Sequence, residues 1–128
     1  MRILAVDDDA DFLEILRFHF GRAGIDMVTC NSGPVALRLL DEQSFDVAMV
    51  DLMMPVMDGN VLCRHIRGKP SHADLPIVMM THMGNVPFIR AASPGDTSQF
   101  VNKEGEPAWL IQLVSDLSGR RSSRRPTR

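Results

Sequence analysis

The stretch Asp46-Val47-Ala48-Met49-Val50-Asp51-Leu52-Met53-Met54-Pro55-Val56-Met57-Asp58-Gly59 decides how the chain is read. Asp46 to Val50 predicts a short strand, and Val47 to Val50 leaves it without a polar face. A strand apolar on both faces belongs in a parallel sheet covered by helices on either side. The run stops at a carboxylate, Asp51. Leu52 to Gly59 then reads as a loop, and a helix follows from about Asn60 to Arg67. Gly68-Lys69-Pro70-Ser71 breaks that helix.

The same alternation extends in both directions. Arg2 to Val6 reads as a buried strand ending in Asp7-Asp8-Asp9. Asp9 is suited to cap a helix from Ala10 to about Ala23, with Phe12, Leu13, Ile15, Leu16 and Phe20 at helical spacing. Asp26 to Cys30 predicts a second strand. Asn31-Ser32-Gly33-Pro34 opens a second helix reaching about Glu42, with Pro34 in its first turn. Further on, Pro76 to Met80 predicts a fourth strand ending at Thr81, and Gln99 to Asn102 a fifth followed by Lys103. Pro107 opens a last helix to about Leu117, whose inner face would be Trp109, Leu110, Leu113, Val114 and Leu117. Between Met83 and Pro94 the residues Gly84, Pro87 and Pro94 predict a short or irregular fourth helix. Strands alternating with helices give parallel βαβ units and a doubly wound α/β sheet.

The chain has 128 residues, enough for one domain with its own core. Apolar residues at 45% and charged residues at 23% exclude a disordered chain. No apolar run approaches the ~20 residues of a membrane span, and the N-terminal run is too short for a signal peptide. The expected location is cytoplasmic. Cys30 and Cys63 form no Cys-x-x-Cys motif, which excludes a disulfide framework and a structural zinc site. Five arginines (Arg120, Arg121, Arg124, Arg125, Arg128) fill an acid-free tail; without them 9 basic residues face 16 acidic ones. An acidic body argues against nucleic-acid binding by the folded domain.

In doubly wound sheets, ligands bind beyond the carboxyl ends of the strands. Those ends carry Asp7 and Asp8, then Asp51, then Thr81, then Lys103. Carboxylates crowded together repel one another, and a hard divalent cation relieves this. Magnesium fits, because it takes one or two carboxylates and binds beside phosphate. A carboxylate beside magnesium can attack a phosphoryl group. The Lys103 ammonium and the Thr81 hydroxyl can meet the transferred oxygens.

With Val6-Asp7-Asp8, the run Asp51-Leu52-Met53-Met54-Pro55-Val56-Met57-Asp58-Gly59, Met80-Thr81 and Lys103 in place, the sequence resembles the receiver domain of two-component response regulators. The resemblance covers about residues 1–118, leaving 119–128 as a basic tail or linker, expected to be disordered. It implies a flavodoxin-like, five-stranded parallel sheet in the order 2-1-3-4-5 with five helices. It implies Asp51 as phosphoryl acceptor, Asp8 as direct magnesium ligand, Asp7 acting through water, and the Met53 carbonyl as backbone ligand. Thr81 would bind a phosphoryl oxygen, Lys103 would pair with the phosphoryl group, and Phe100 would change rotamer with Thr81. Pro55 would fix one φ in the loop and Gly59 permit an unusual one. The implied donor is a histidine kinase or phosphotransfer protein. The implied output is a changed surface on the fourth helix, fifth strand and fifth helix, read by a downstream protein or an output domain outside this chain. The domain would be no enzyme beyond its own phosphorylation and dephosphorylation.

Three departures stand out. His82 follows Thr81, where the family has a small residue. Its ring either faces solvent or modulates access to the phosphoryl group. Glu104 follows Lys103, where the family has proline, so a trans bond is expected there. The segment Gly84 to Pro94 is apolar enough for a core-facing element, a homodimer or a partner contact. Two other readings compete: a pseudo-receiver scaffold independent of phosphorylation, and a haloacid-dehalogenase-like phosphatase using Asp7 and Asp9.

Overall fold

Consecutive side chains of a strand point to opposite faces, so a strand apolar at every position needs cover on both. The computed structural model, which describes residues 1–82 and 99–124, supplies that cover. Its elements are β1 (Arg2–Val6), α1 (Ala10–Arg22), β2 (Asp26–Cys30), α2 (Gly33–Glu42), β3 (Val47–Asp51), α3 (Gly59–Arg67), a 3-10 turn (Pro70–His72), β4 (Ile77–Thr81), β5 (Gln99–Asn102) and α4 (Pro107–Arg124). The five strands form one sheet in the order β2-β1-β3-β4-β5, each neighbouring pair parallel. Ile3, Ala5, Met49 and Met80 pack on one face with Leu13, Leu16 and Phe20 of α1 and Leu110, Val114 and Leu117 of α4. Leu4, Val6, Val50 and Met79 pack on the other with Ala36 and Leu40 of α2 and Leu62 and Ile66 of α3.

The helices begin where side chains can satisfy their free N–H groups. Asp9 accepts from the Phe12 N–H, Ser32 from the Val35 N–H, and Asp58 from the Val61 N–H. Each cap contributes about 1 kcal/mol. Asp58 therefore starts α3, one residue earlier than the sequence placed it.

Several expectations are corrected. Ile15 and Trp109 lie outside the core, 55% and 53% exposed. Each is one position before a buried residue, Leu16 and Leu110, and therefore about 100° around its helix. The last helix continues past Leu117 to Arg124, so the backbone of 119–124, expected to be disordered, is helical. A glycine inside a helix costs only about 1 kcal/mol, and arginine favours helix. The expected fourth helix and the apolar segment Gly84 to Pro94 lie outside the described residues.

The loop after β3 also differs. Val56, rather than Gly59, has the positive φ, at 71°. The Met57 N–H donates to the Pro55 carbonyl at 2.8 Å across it, closing a γ-turn around a β-branched residue. Gly59 is required for space. A Cβ there would lie 2.5 Å from the Asp51 carbonyl oxygen and 2.6 Å from the Met79 sulfur. Its N–H donates to the Leu52 carbonyl at 2.9 Å, closing the loop back on the end of β3. Gly59→Ala is therefore expected to destabilise the fold by about 1–3 kcal/mol, the usual cost of overpacking. Urea denaturation followed by circular dichroism measures this as a lower midpoint.

Candidate functional site

All five strands run the same way, so their carboxyl ends share one edge of the sheet. β1 ends at Asp7, which is fully buried, while Asp8 beside it is exposed. The Asp9 N–H donates to Asp7 Oδ1 at 2.9 Å, which turns the chain into α1 and fixes the Asp7 carboxylate. β3 ends at Asp51, 4% exposed, whose Oδ1 accepts from the Met53 N–H at 3.3 Å. One oxygen from each of Asp7, Asp8 and Asp51 lies within 4.8 Å of the others.

Lys103 follows β5, and its backbone N–H donates to the Thr81 carbonyl at 2.8 Å. Its ammonium reaches across the ends of β4 and β3, 2.7 Å from Asp7 Oδ2 and 3.7 Å from Asp51 Oδ2. The side chain is 4% exposed, so this lysine is no solvated surface residue. The ring of Phe12, from α1, has its centroid 4.6 Å from the ammonium. Although Asp7 Oδ2 is close to the ammonium, it takes part in no aligned hydrogen bond. The pair is thus held by charge, and the oxygen keeps its capacity to accept.

Thr81 ends β4, is buried, and donates its hydroxyl hydrogen to the His82 carbonyl at 3.3 Å. Phe100 pairs across the strands with Met79, half-buried against the α2–α3 side of the core. The His82 ring is 60% exposed and its Nδ1 meets Glu104 Oε1. The Lys103–Glu104 bond is trans, as expected for a residue other than proline. Asp9, in contrast, is engaged in capping α1 and stands outside the carboxylate cluster, which removes the partner that the phosphatase reading assigned to Asp7.

The profile of the response regulator receiver domain matches residues 3–115. The chain belongs to this family. It is 34% identical over 111 residues to the heme response regulator HssR of Staphylococcus aureus, an alignment covering 87% of this chain and 48% of that protein. The chain spans about half the length of the curated relatives it matches. Among solved structures, a response regulator from Chloroflexus aurantiacus superposes with a TM-score of 0.87 at 29% identity, covering 93% of this chain and 98% of that one. The receiver domain of a histidine kinase from Syntrophus aciditrophicus gives 0.86 at 25% identity, covering 99% and 94%.

The receiver's site has an electrostatic imbalance. Burial, followed by the neighbouring charge of Asp7, raises the Asp51 carboxyl from 3.8 to about 7, while Lys103 and the Met53 N–H oppose the rise. Two buried carboxylates share one ammonium, and a second cation would restore the balance. The donor set consists of carboxylate oxygens alone, the ligands a hard ion such as magnesium takes. The donor set of Asp7, Asp8 and Asp51 thus fits magnesium. Cys30 and Cys63 form no disulfide, and burial pushes the Cys30 thiol up to about 11. Neither of two cavities among the described residues is lined by Asp7, Asp8 or Asp51. One of about 340 Å³ lies between the end of α2 and the 3-10 turn. The other, about 430 Å³, lies along Leu52–Pro55, Asp58 and Asn60. Among the described residues no helix is long and apolar enough to cross a membrane.

Phe12 gave no signal beyond its helical spacing, whereas Asp58, an aspartate just ahead of a helix as Asp9 is, carried the cap signal that the sequence reading left unused. His82 and Glu104 were both visible as departures, but their pairing was not. Because the folded Asp51 pKa lies above the unfolded one, its contribution to stability is fully present below pH 4. It is lost as pH rises through about 7. Without divalent cations, Asp51→Asn is therefore expected to be more stable than wild type at pH 8, by a few kcal/mol at about 1.4 kcal/mol per pKa unit. The difference should vanish near pH 4, as read from denaturation midpoints across pH.

Proposed function

We propose that this chain accepts a phosphoryl group on Asp51 and answers with a change of surface rather than a released product. The observation that carries the reading is the Lys103 ammonium, buried between Asp7 and Asp51 at the strand ends. A buried cation 3.7 Å from a carboxylate oxygen is within reach of a phosphoryl group formed on that carboxylate.

The donor is the phosphohistidine of a sensor histidine kinase or phosphotransfer protein. A carboxylate oxygen of Asp51 attacks the phosphorus in line, and the bond from phosphorus to the donor nitrogen breaks. Asp7, Asp8, Asp51 and the Met53 carbonyl would hold magnesium, which would supply positive charge to neutralise the phosphoryl oxygens. Lys103 shifts from Asp7 toward the new dianion. The Thr81 hydroxyl leaves the His82 carbonyl and donates to a phosphoryl oxygen. That movement changes the packing around Phe100 on β5 and biases a two-state equilibrium on the face of β5 and its flanking helices. A downstream partner reads this face. We read residues 1–118 as the receiver and 119–128 as a tail or linker toward an output domain, in line with relatives about twice as long. A kinase partner also favours a cytoplasmic setting.

The test is intact-mass spectrometry after incubation with acetyl phosphate and magnesium. Wild type is expected to gain one phosphoryl group. Asp51→Asn should gain none, and neither should wild type without magnesium. No adduct, together with no beryllofluoride-induced change in the spectra of Thr81 and Phe100, would overturn the reading in favour of a scaffold.

A further inference from the structure

The two residues that depart from the family pattern meet each other. His82 follows Thr81, and Glu104 follows Lys103. The hydrogen bond from the Lys103 N–H to the Thr81 carbonyl ties these strand ends together. One position further out, His82 Nδ1 is against Glu104 Oε1. Glu104 is held in place by its own backbone. Its N–H donates to Asn102 Oδ1 at 3.0 Å, and the Gly105 N–H donates to the Asn102 carbonyl at 3.0 Å, closing the turn after β5.

We propose that His82 is a catalytic base that activates water to remove the phosphoryl group from Asp51, with Glu104 positioning it. The inference rests on Asp51 being the phosphoryl acceptor. A carboxylate at Nδ1 keeps the ring proton on that nitrogen, so the neutral ring carries its lone pair on Nε2. The location suits the task. Asp51 is 4% exposed at the end of β3, while His82 and Glu104, each one position beyond Thr81 and Lys103 at the same edge of the sheet, have side chains 60% and 54% exposed. Water displacing the Asp51 carboxylate in line must approach the phosphorus from the solvent side, and His82 and Glu104 are exposed side chains adjacent in the chain to Thr81 and Lys103.

The step balances with water as the sole co-reactant. His82 Nε2 takes one proton from water as the water oxygen bonds to phosphorus. The bond between phosphorus and the Asp51 oxygen breaks, and its electron pair returns to the carboxylate. Inorganic phosphate leaves, and the ring proton passes to solvent.

Wild type and variants are loaded with acetyl phosphate and magnesium, desalted, and followed by intact mass and by phosphate release. Once loaded, His82→Ala and His82→Gln are expected to lose the phosphoryl group about a hundredfold more slowly than wild type, the low end of general-base catalysis. Glu104→Gln should slow the loss by a smaller factor. Free imidazole should restore fast loss to His82→Ala, whereas a purely structural contact between strand ends would not be restored. Unchanged decay in His82→Ala, or slow decay that imidazole leaves slow, would overturn the proposal. A wild-type protein that never loads would remove the acceptor reading, and this inference with it.

Discussion

Two carboxylates without access to water cannot both keep their charge unless a cation stands beside them. In this chain that cation is the Lys103 ammonium. At an effective dielectric of about 20, its attraction is about 6 kcal/mol for Asp7 at 2.7 Å and about 4.5 kcal/mol for Asp51 at 3.7 Å, before desolvation is subtracted. Asp7 is therefore the favoured partner, and Asp51 is left with the raised pKa. The imbalance makes the site receptive. A second positive charge beside Asp7 and Asp51 lowers the energy of the cluster.

The sheet exists to hold these groups at one edge. Parallel pairing brings the ends of β1, β3 and β4 together with the residue after β5, and the register places Asp51 opposite Met80 and Thr81 opposite Asn102. Five-residue strands buried at every position in β3 and β4 leave little freedom for those ends to drift. From α1, Phe12 sets its ring against the Lys103 ammonium, an attraction that strengthens in a desolvated site. The helix that begins with the Asp9 cap thus also shapes the cation it stands beside.

The loop after β3 accepts strain so that this edge can be tight. Gly59 lets the chain pass against the Asp51 carbonyl, and Val56 takes a left-handed φ with its side chain fully in solvent. Backbone strain of this kind persists where surrounding structure over-determines it, and here the bonds from Gly59 to Leu52 and from Met57 to Pro55 do so. On the opposite side of the site, the His82–Glu104 contact continues the cross-strand tie of Thr81 and Lys103 outward to solvent.

The sequence by itself determined the alternation of elements, because runs such as Val47 to Val50 have one stable environment, a sheet covered on both faces. It also determined the residues at the strand ends, since a strand that stops at Asp7, Asp51 or Thr81 must present that residue at the sheet edge. It could not determine which side of a helix faces the core at positions one residue off the stripe, so Ile15 and Trp109 were misplaced. Nor could local composition show that the helix through Gly119 continues to Arg124. Tertiary structure alone decided the partners: Lys103 with Asp7 more closely than with Asp51, Phe12 against the ammonium, His82 with Glu104. These contacts join residues 22 to 96 positions apart, and their energies depend on distance and burial, which no local sequence pattern encodes.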